Sequence, residues 1–179
     1  LDVQERIKFA QSNHFYLIDQ VKSCQNSTIG YNGYIDLTFN HPIKELIWVI
    51  QRDNVGEIVT NSTKIIQQPN EWFDFKPNND PINQMTESFT GATLLMNGKE
   101  RFKEMKASYF RLYVPWQRHT RIPSKLIYCY SFSLYPENHQ PSGSCNFSRI
   151  DDVRLSLKFP KHEKRNVKVY GINYNILMI

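Results

Sequence analysis

The stretch Val153-Arg154-Leu155-Ser156-Leu157-Lys158-Phe159 constrains the fold more tightly than any other part of the chain. Its apolar residues fall on every second position, the period of a β-strand with one face buried and the other in water. The same alternation recurs in Tyr128, Tyr130, Phe132 and Leu134, separated by Cys129, Ser131 and Ser133, and in Ile35, Leu37 and Phe39, separated by Asp36 and Thr38. Leu46 to Ile50 is apolar on both faces, as expected of a strand covered on each side, at an interface between two layers. His14–Lys22, Gln84–Phe89, Ala92–Met96 and Val167–Leu177 complete a set of about eight strands, the number a jelly roll uses. Composition agrees, since 10 Tyr, 11 Phe and 3 Trp against 7 Gly describe an aromatic-rich chain suited to strands.

We therefore expect an all-β fold, an eight-stranded jelly-roll sandwich. No internal repeat, low-complexity tract or linker divides the chain, so residues 1–179 are expected to form a single domain. An immunoglobulin-like sandwich would be shorter, about 100 residues, with regularly spaced turns. Here the connections over 52–83 and 99–125 are long and uneven. In the second, Phe102, Met105, Tyr109 and Phe110 recur at helical spacing, which predicts a short amphipathic helix over Glu100–Phe110, packed on the sheet and stopped by Pro115.

The net charge of +5 comes from 22 basic and 17 acidic residues, interspersed over most of the length. The densest basic run, Lys158 to Lys168, falls where two strands should join. It reads as a solvated turn rather than a nucleic-acid or membrane contact. Cys24, Cys129 and Cys145 show no CxxC spacing and leave one unpaired, which fits a reducing compartment. Glycosylation sequons at Asn26, Asn61 and Asn146 matter only if the chain enters a secretory lumen. No apolar run approaches the roughly 20 residues of a membrane-spanning helix. The chain opens on Leu1 and closes on the strand-like run Tyr174–Ile179, and we expect it to be a piece of something longer.

The sequence carries no pattern that points to a catalytic residue, cofactor site or metal ligand. His14, His41, His119, His139 and His162 form no HxH or HExxH pattern and no paired Cys/His spacing, and no predicted strand carries two of them as a metal-binding cupin would. None of the 7 glycines falls in a phosphate-binding loop. Ser142-Gly143-Ser144 lacks the GxSxG frame of a nucleophile elbow. Asp151 and Asp152, as strand neighbours, point to opposite faces and cannot easily share a proton. Arg149 and Asp151, two residues apart on an extended chain, are close enough for an ion pair or for bonds to exposed backbone groups, an architectural clamp.

Residues 128–151 carry a resemblance. Gln140-Pro141-Ser142-Gly143, followed by Asn146-Phe147-Ser148-Arg149-Ile150-Asp151, closely resembles the most recognisable motif in the major capsid proteins of nucleocytoplasmic large DNA viruses, of iridovirus, phycodnavirus and mimivirus type. Leu46–Val49, Asn97-Gly98 with Arg101-Phe102, Tyr109-Phe110 and His119–Pro123 look like family landmarks in the right order, so the likeness covers nearly the whole chain. Family members fold as two consecutive jelly rolls, and this chain is similar to the second. A glycine-rich tail usual in the family is absent, in keeping with the expected fragment. The resemblance implies a structural protein rather than an enzyme: homotrimers of pseudo-hexagonal outline, set among neighbouring capsomers and minor capsid proteins in an icosahedral virion. It implies assembly in host cytoplasm, no direct nucleic-acid contact and no stable membrane insertion.

The motif also makes physical sense alone. Pro136 and Pro141 prevent a strand ladder, Gly143 opens backbone conformations closed to other residues, and Asn146 and Ser148 can bond the turn's own amides. Phe147 can anchor the loop in apolar neighbours, with Arg149 and Asp151 tying it to the next strand. The competing expectation is a carbohydrate-binding jelly roll in which Trp72, Phe73, Tyr113 and Trp116 stack on sugars.

Overall fold

The computed structural model describes residues 2–53, 58–61, 64–67, 72–77 and 86–179. Helix α1 (Val3–Gln11) leads into a long strand β1 (Phe15–Asp36), followed by β2 (Pro42–Arg52) and a small hairpin of β3 (Ile58–Asn61) and β4 (Lys64–Gln67). Then come β5 (Gly91–Met96), β6 (Lys99–Glu100) and β7 (Met105–Lys106), a π-helical stretch (Tyr109–Tyr113) continuing into α2 (Val114–Arg118), and β8 (Tyr128–Ser131). Strand β9 (Cys145–Asn146), a 3-10 turn (Phe147–Arg149) and β10 (Val153–Met178) complete the chain. Among the described residues, eight strands form one sheet in the order β6-β5-β10-β2-β8, with β1 also on β10, β7 on β5 and β9 on β2.

The fold is organised by the antiparallel ribbon of β1 and β10, paired from Phe15↔Met178 to Asp36↔Arg154. Beyond the ribbon, β10 uses its first part, Val153–Lys158, to pair with β5, and its later part, Arg165–Asn173, to pair with β2. The sheet therefore curls, and side chains from both parts meet in one core: Ile35, Leu94, Leu155 and Leu157 from one side, Leu46, Trp48, Val167 and Val169 from the other. Each buried side chain of this size contributes roughly 1.5–3 kcal/mol. Trp48, Phe89, Phe110 and Tyr128 form its aromatic centre, with the rings of Phe89 and Tyr128 4.6 Å apart and those of Trp48 and Phe110 5.1 Å apart. The Tyr128 hydroxyl is satisfied there, donating to Glu87 Oε2 and accepting from the Ser88 amide, both at 3.0 Å.

Strand β2 is buried on both faces, as its unbroken apolar run predicts. Three expectations need correction. First, Val153–Phe159 and Val167–Leu177 are not two strands joined by a basic turn but parts of one strand, β10. Where the turn was expected, the register slips between Gly30↔Glu163 and Asn32↔Lys158, so residues 159–162 bulge opposite Tyr31. Pro160, which cannot donate to a ladder, sits in that bulge. The slip also moves the inward side of β1 from even to odd positions, from Thr28 to Ile35. Arg165 fastens the bulge: its Nη1 donates to the carbonyls of Lys161 (3.1 Å) and Glu163 (3.3 Å), while the guanidinium lies 4.6 Å from the Phe159 ring centre. Lys164 pairs with Asp53 at 2.9 Å, so the basic run is largely spoken for locally.

Second, no helix spans Glu100–Phe110. Asn97 (φ 49°) and Gly98 (φ 74°) make the two-residue hairpin turn that requires positive φ at both positions, and this folds β6 and β7 back along β5. The hairpin outweighs the helical spacing, and Phe102 reaches the core from the bend between β6 and β7, its ring 5.6 Å from that of Phe110. The helix starts later, and Pro115 lies within it rather than ending it. The π-helical stretch just before Pro115 accommodates the missing N–H: Val114 donates to the Tyr109 carbonyl, and His119 closes α2 by donating to the Pro115 carbonyl at 2.8 Å. Third, of the strand expected over Gln84–Phe89, residues 86–89 form no strand, and Gln84 and Met85 lie outside the described residues.

Candidate functional site

The segment from Gln140 to Asp151 forms an ordered corner between β8 and β10, fastened at several points. Ser142 Oγ lies 2.6 Å from Ser133 Oγ and accepts the Tyr135 amide at 2.8 Å. Gly143 has φ 139°, and a Cβ there would stand 2.8 Å from the Phe132 carbonyl oxygen, so both conformation and space demand glycine. Cys145 and Asn146 pair with Ile43 and Pro42. Asn146 Oδ1 accepts the Ser148 amide at 3.1 Å, the local cap its residue type predicts.

Phe147 is 2% exposed and packs among Phe39 and Phe132. Its amide donates to the His41 carbonyl (3.2 Å) while Ser148 Oγ accepts the His41 amide (2.9 Å). Together these hold His41 at φ 79°, directly before Pro42. Ile150 is half-buried, its amide donating to Phe147 O at 3.2 Å. Gln140, Pro141, Arg149 and Asp151 have exposed side chains. The expected Arg149–Asp151 ion pair does not form. The tie to the next strand runs instead through Asn97, whose Oδ1 accepts the amides of Asp151 and Asp152, each at 3.1 Å. Nothing in the residue types of the corner signalled that partner, which the β5–β6 hairpin turn supplies.

The aromatic residues singled out for sugar stacking are exposed, Trp116 and Phe73 most of all. Tyr113 and Trp116 line an open groove with Met105, Tyr109, Leu112 and Ile122. Tyr109 stacks on Tyr113 at 5.3 Å, and the Trp116 ring lies tilted beside Tyr113 at 6.0 Å.

One histidine sits in a cluster of titratable and sulfur groups. His119, just past α2, has its Nε2 2.5 Å from Glu45 Oε1 and 3.8 Å from Cys129 Sγ, and its Nδ1 3.3 Å from Glu137. The hydrogen bond to Glu45 raises its pKa above the usual imidazole value, with burial opposing. Burial pushes the Cys129 thiol far up, assisted by the Glu45 carboxylate, and pushes Cys24 up to about 11. All three cysteines are free thiols.

Residues 5–179 match the family described as large eukaryotic DNA virus major capsid protein. The chain belongs to that family. Among its relatives, the major capsid proteins of Pyramimonas orientalis virus and Phaeocystis pouchetii virus are each 34% identical to it, aligned over the whole chain but over only 44% and 49% of their own lengths. It thus spans about half the length of these curated relatives. Among solved structures, the PBCV-1 capsid protein VP54 superposes on the entire chain with a TM-score of 0.77 and 29% identity, and 52% of VP54 is covered. The Faustovirus major capsid protein, at 15% identity and a TM-score of 0.74, shares the fold. The jelly-roll architecture expected from strand alternation is thus that of this capsid family.

Proposed function

We propose that this chain is the second jelly roll of a major capsid protein and that, joined to a first, it builds trimeric capsomers of pseudo-hexagonal outline in an icosahedral shell. The observation that carries this reading is the superposition of the whole chain on about half of VP54. The surface supports it. The outer part of the β1–β10 ribbon presents Phe15, Val21, Ile176 and Met178 to solvent, and α1 beside it presents Val3, Ile7 and Phe9. An apolar surface of this extent calls for cover, and the first jelly roll of the same protein is the occupant we assign.

In this reading the Gln140–Asp151 motif is structural, a rigid corner that sets the start of β10. The partners are two further copies, neighbouring capsomers and minor capsid proteins. The place of action is the virion after assembly in host cytoplasm, without catalysis, direct nucleic-acid contact or stable membrane insertion. Among the described residues no helix is long and apolar enough to cross a membrane.

The test is to express this chain with a family first jelly roll fused upstream and measure mass by light scattering and shape by electron microscopy. Trimers of pseudo-hexagonal outline are expected. A monomer whose apolar ribbon stays open to solvent exchange would overturn the reading. Glycan binding abolished by Trp116→Ala would favour the carbohydrate-binding role instead.

A further inference from the structure

We propose that Glu45, His119 and Cys129 bind a zinc ion, with Glu137 orienting the histidine. The three residues lie on separate elements. Glu45 on β2 pairs with Ser131 on β8, which places Cys129 as its diagonal neighbour on the same face. His119 enters from the end of α2. One ligand atom from each lies within 4.8 Å of the other two. A tetrahedral zinc ion with bonds of about 2.0–2.3 Å sets its ligand atoms roughly 3.3–3.8 Å apart. The 3.8 Å between Sγ and Nε2 already has that spacing, and a swing of the Glu45 carboxylate by about 1 Å would open its 2.5 Å contact with Nε2 to match.

Two further observations point to a cation. Glu45 is 2% exposed, and its buried Oε1 has only the His119 ring nitrogen, at 2.5 Å, beside it, a costly state for a carboxylate unless a positive charge sits there. The far side of the imidazole is also prepared. Glu137 faces Nδ1 with Oε1, while its Oε2 accepts the Thr120 amide at 3.0 Å, which fixes the ring with Nε2 inward. A carboxylate behind a ligating histidine is the usual outer shell of a zinc site. The charges close as well. Zinc binding releases the Cys129 proton, and the divalent ion is then balanced by one thiolate and one carboxylate. The mixed sulfur, nitrogen and oxygen donor set suits zinc better than calcium or magnesium. Water completes the coordination on the side where His119 and Glu137 meet solvent. Such an ion ties α2 to the sheet across β2 and β8.

The test strips the purified protein with a chelator, titrates it with Co²⁺ as a spectroscopic probe and then with Zn²⁺, and measures bound metal by mass spectrometry. The parent should show a near-ultraviolet thiolate-to-cobalt charge-transfer band, lose it as zinc displaces cobalt, and retain one zinc per chain with a higher melting temperature. Cys129→Ser should lose the band, whereas Cys24→Ser and Cys145→Ser should keep it. Glu137→Gln should keep the band and weaken binding about 10-fold to 100-fold. Absence of the band in the parent overturns the site and leaves a buried His119–Glu45 ion pair. So does a band or zinc content that survives Cys129→Ser and His119→Gln, which marks an adventitious surface ion only.

Discussion

The two ends of the β1–β10 ribbon are built from similar residues and end in opposite environments. At the inner end, Ile35, Leu155 and Leu157 are almost wholly buried. At the outer end, Val21 and Ile176 stand 62% and 65% exposed on the same two strands. Pairing between the strands is continuous through both ends apart from one bulge. Backbone pairing therefore does not decide burial here. A second layer does, and the curled part of the sheet supplies one only to the inner end.

This contrast can be broken by mutation. The largest effect is expected for Phe147→Ala, which empties a core site shared with Phe39 and Phe132 and should cost about 3–5 kcal/mol of unfolding free energy in denaturant titration. Leu155→Ala should follow at about 2–5 kcal/mol by the same measurement. Asn97→Ala removes the acceptor shared by the Asp151 and Asp152 amides at a position of positive φ, and a loss of about 1–2 kcal/mol is expected. Val21→Ala at the outer end should stay within about 0.5 kcal/mol, and so should Arg149→Ala in the exposed part of the corner. If Val21→Ala cost as much as Leu155→Ala, the outer end would have cover within this chain and the comparison would fail. With a first jelly roll attached, the cost of Val21→Ala should rise, which sharpens the comparison into a measure of how the two halves fit.

The sequence made the strands legible because alternation is a local signal. Val153–Phe159 and Ala92–Met96 lie in strands, the strand expected from Tyr128 to Leu134 holds over Tyr128–Ser131, and the double-faced burial of β2 follows from its unbroken apolar run. Continuity was not legible. Pro160 and the lysines around it carry turn chemistry, and only pairing with β1 carries β10 through them as a bulge. The helix was misplaced because the spacing of Phe102, Met105 and Tyr109 competes with a two-residue turn at Asn97-Gly98 that dictates extended backbone after it. Within the Gln140–Asp151 corner, Gly143, Asn146 and Phe147 do what their residue types suggest, since those roles are local or need only a hydrophobic neighbour. The tie through Asn97, and the meeting of Glu45, His119 and Cys129, depend on sheet register and chain crossing, which no spacing along the sequence records.

The direction of the ribbon has a mechanical consequence. Phe15 and Met178 sit side by side at one end of an antiparallel pair, and the strands run together from there to Asp36 and Arg154. Tension applied between the two outer ends would peel the strands apart one hydrogen-bonded rung at a time, so little force is needed. A pull that slides one strand past the other, outer end of β1 against inner end of β10, loads every rung at once. A shell under internal pressure would be strongest with that second direction lying along its stress lines.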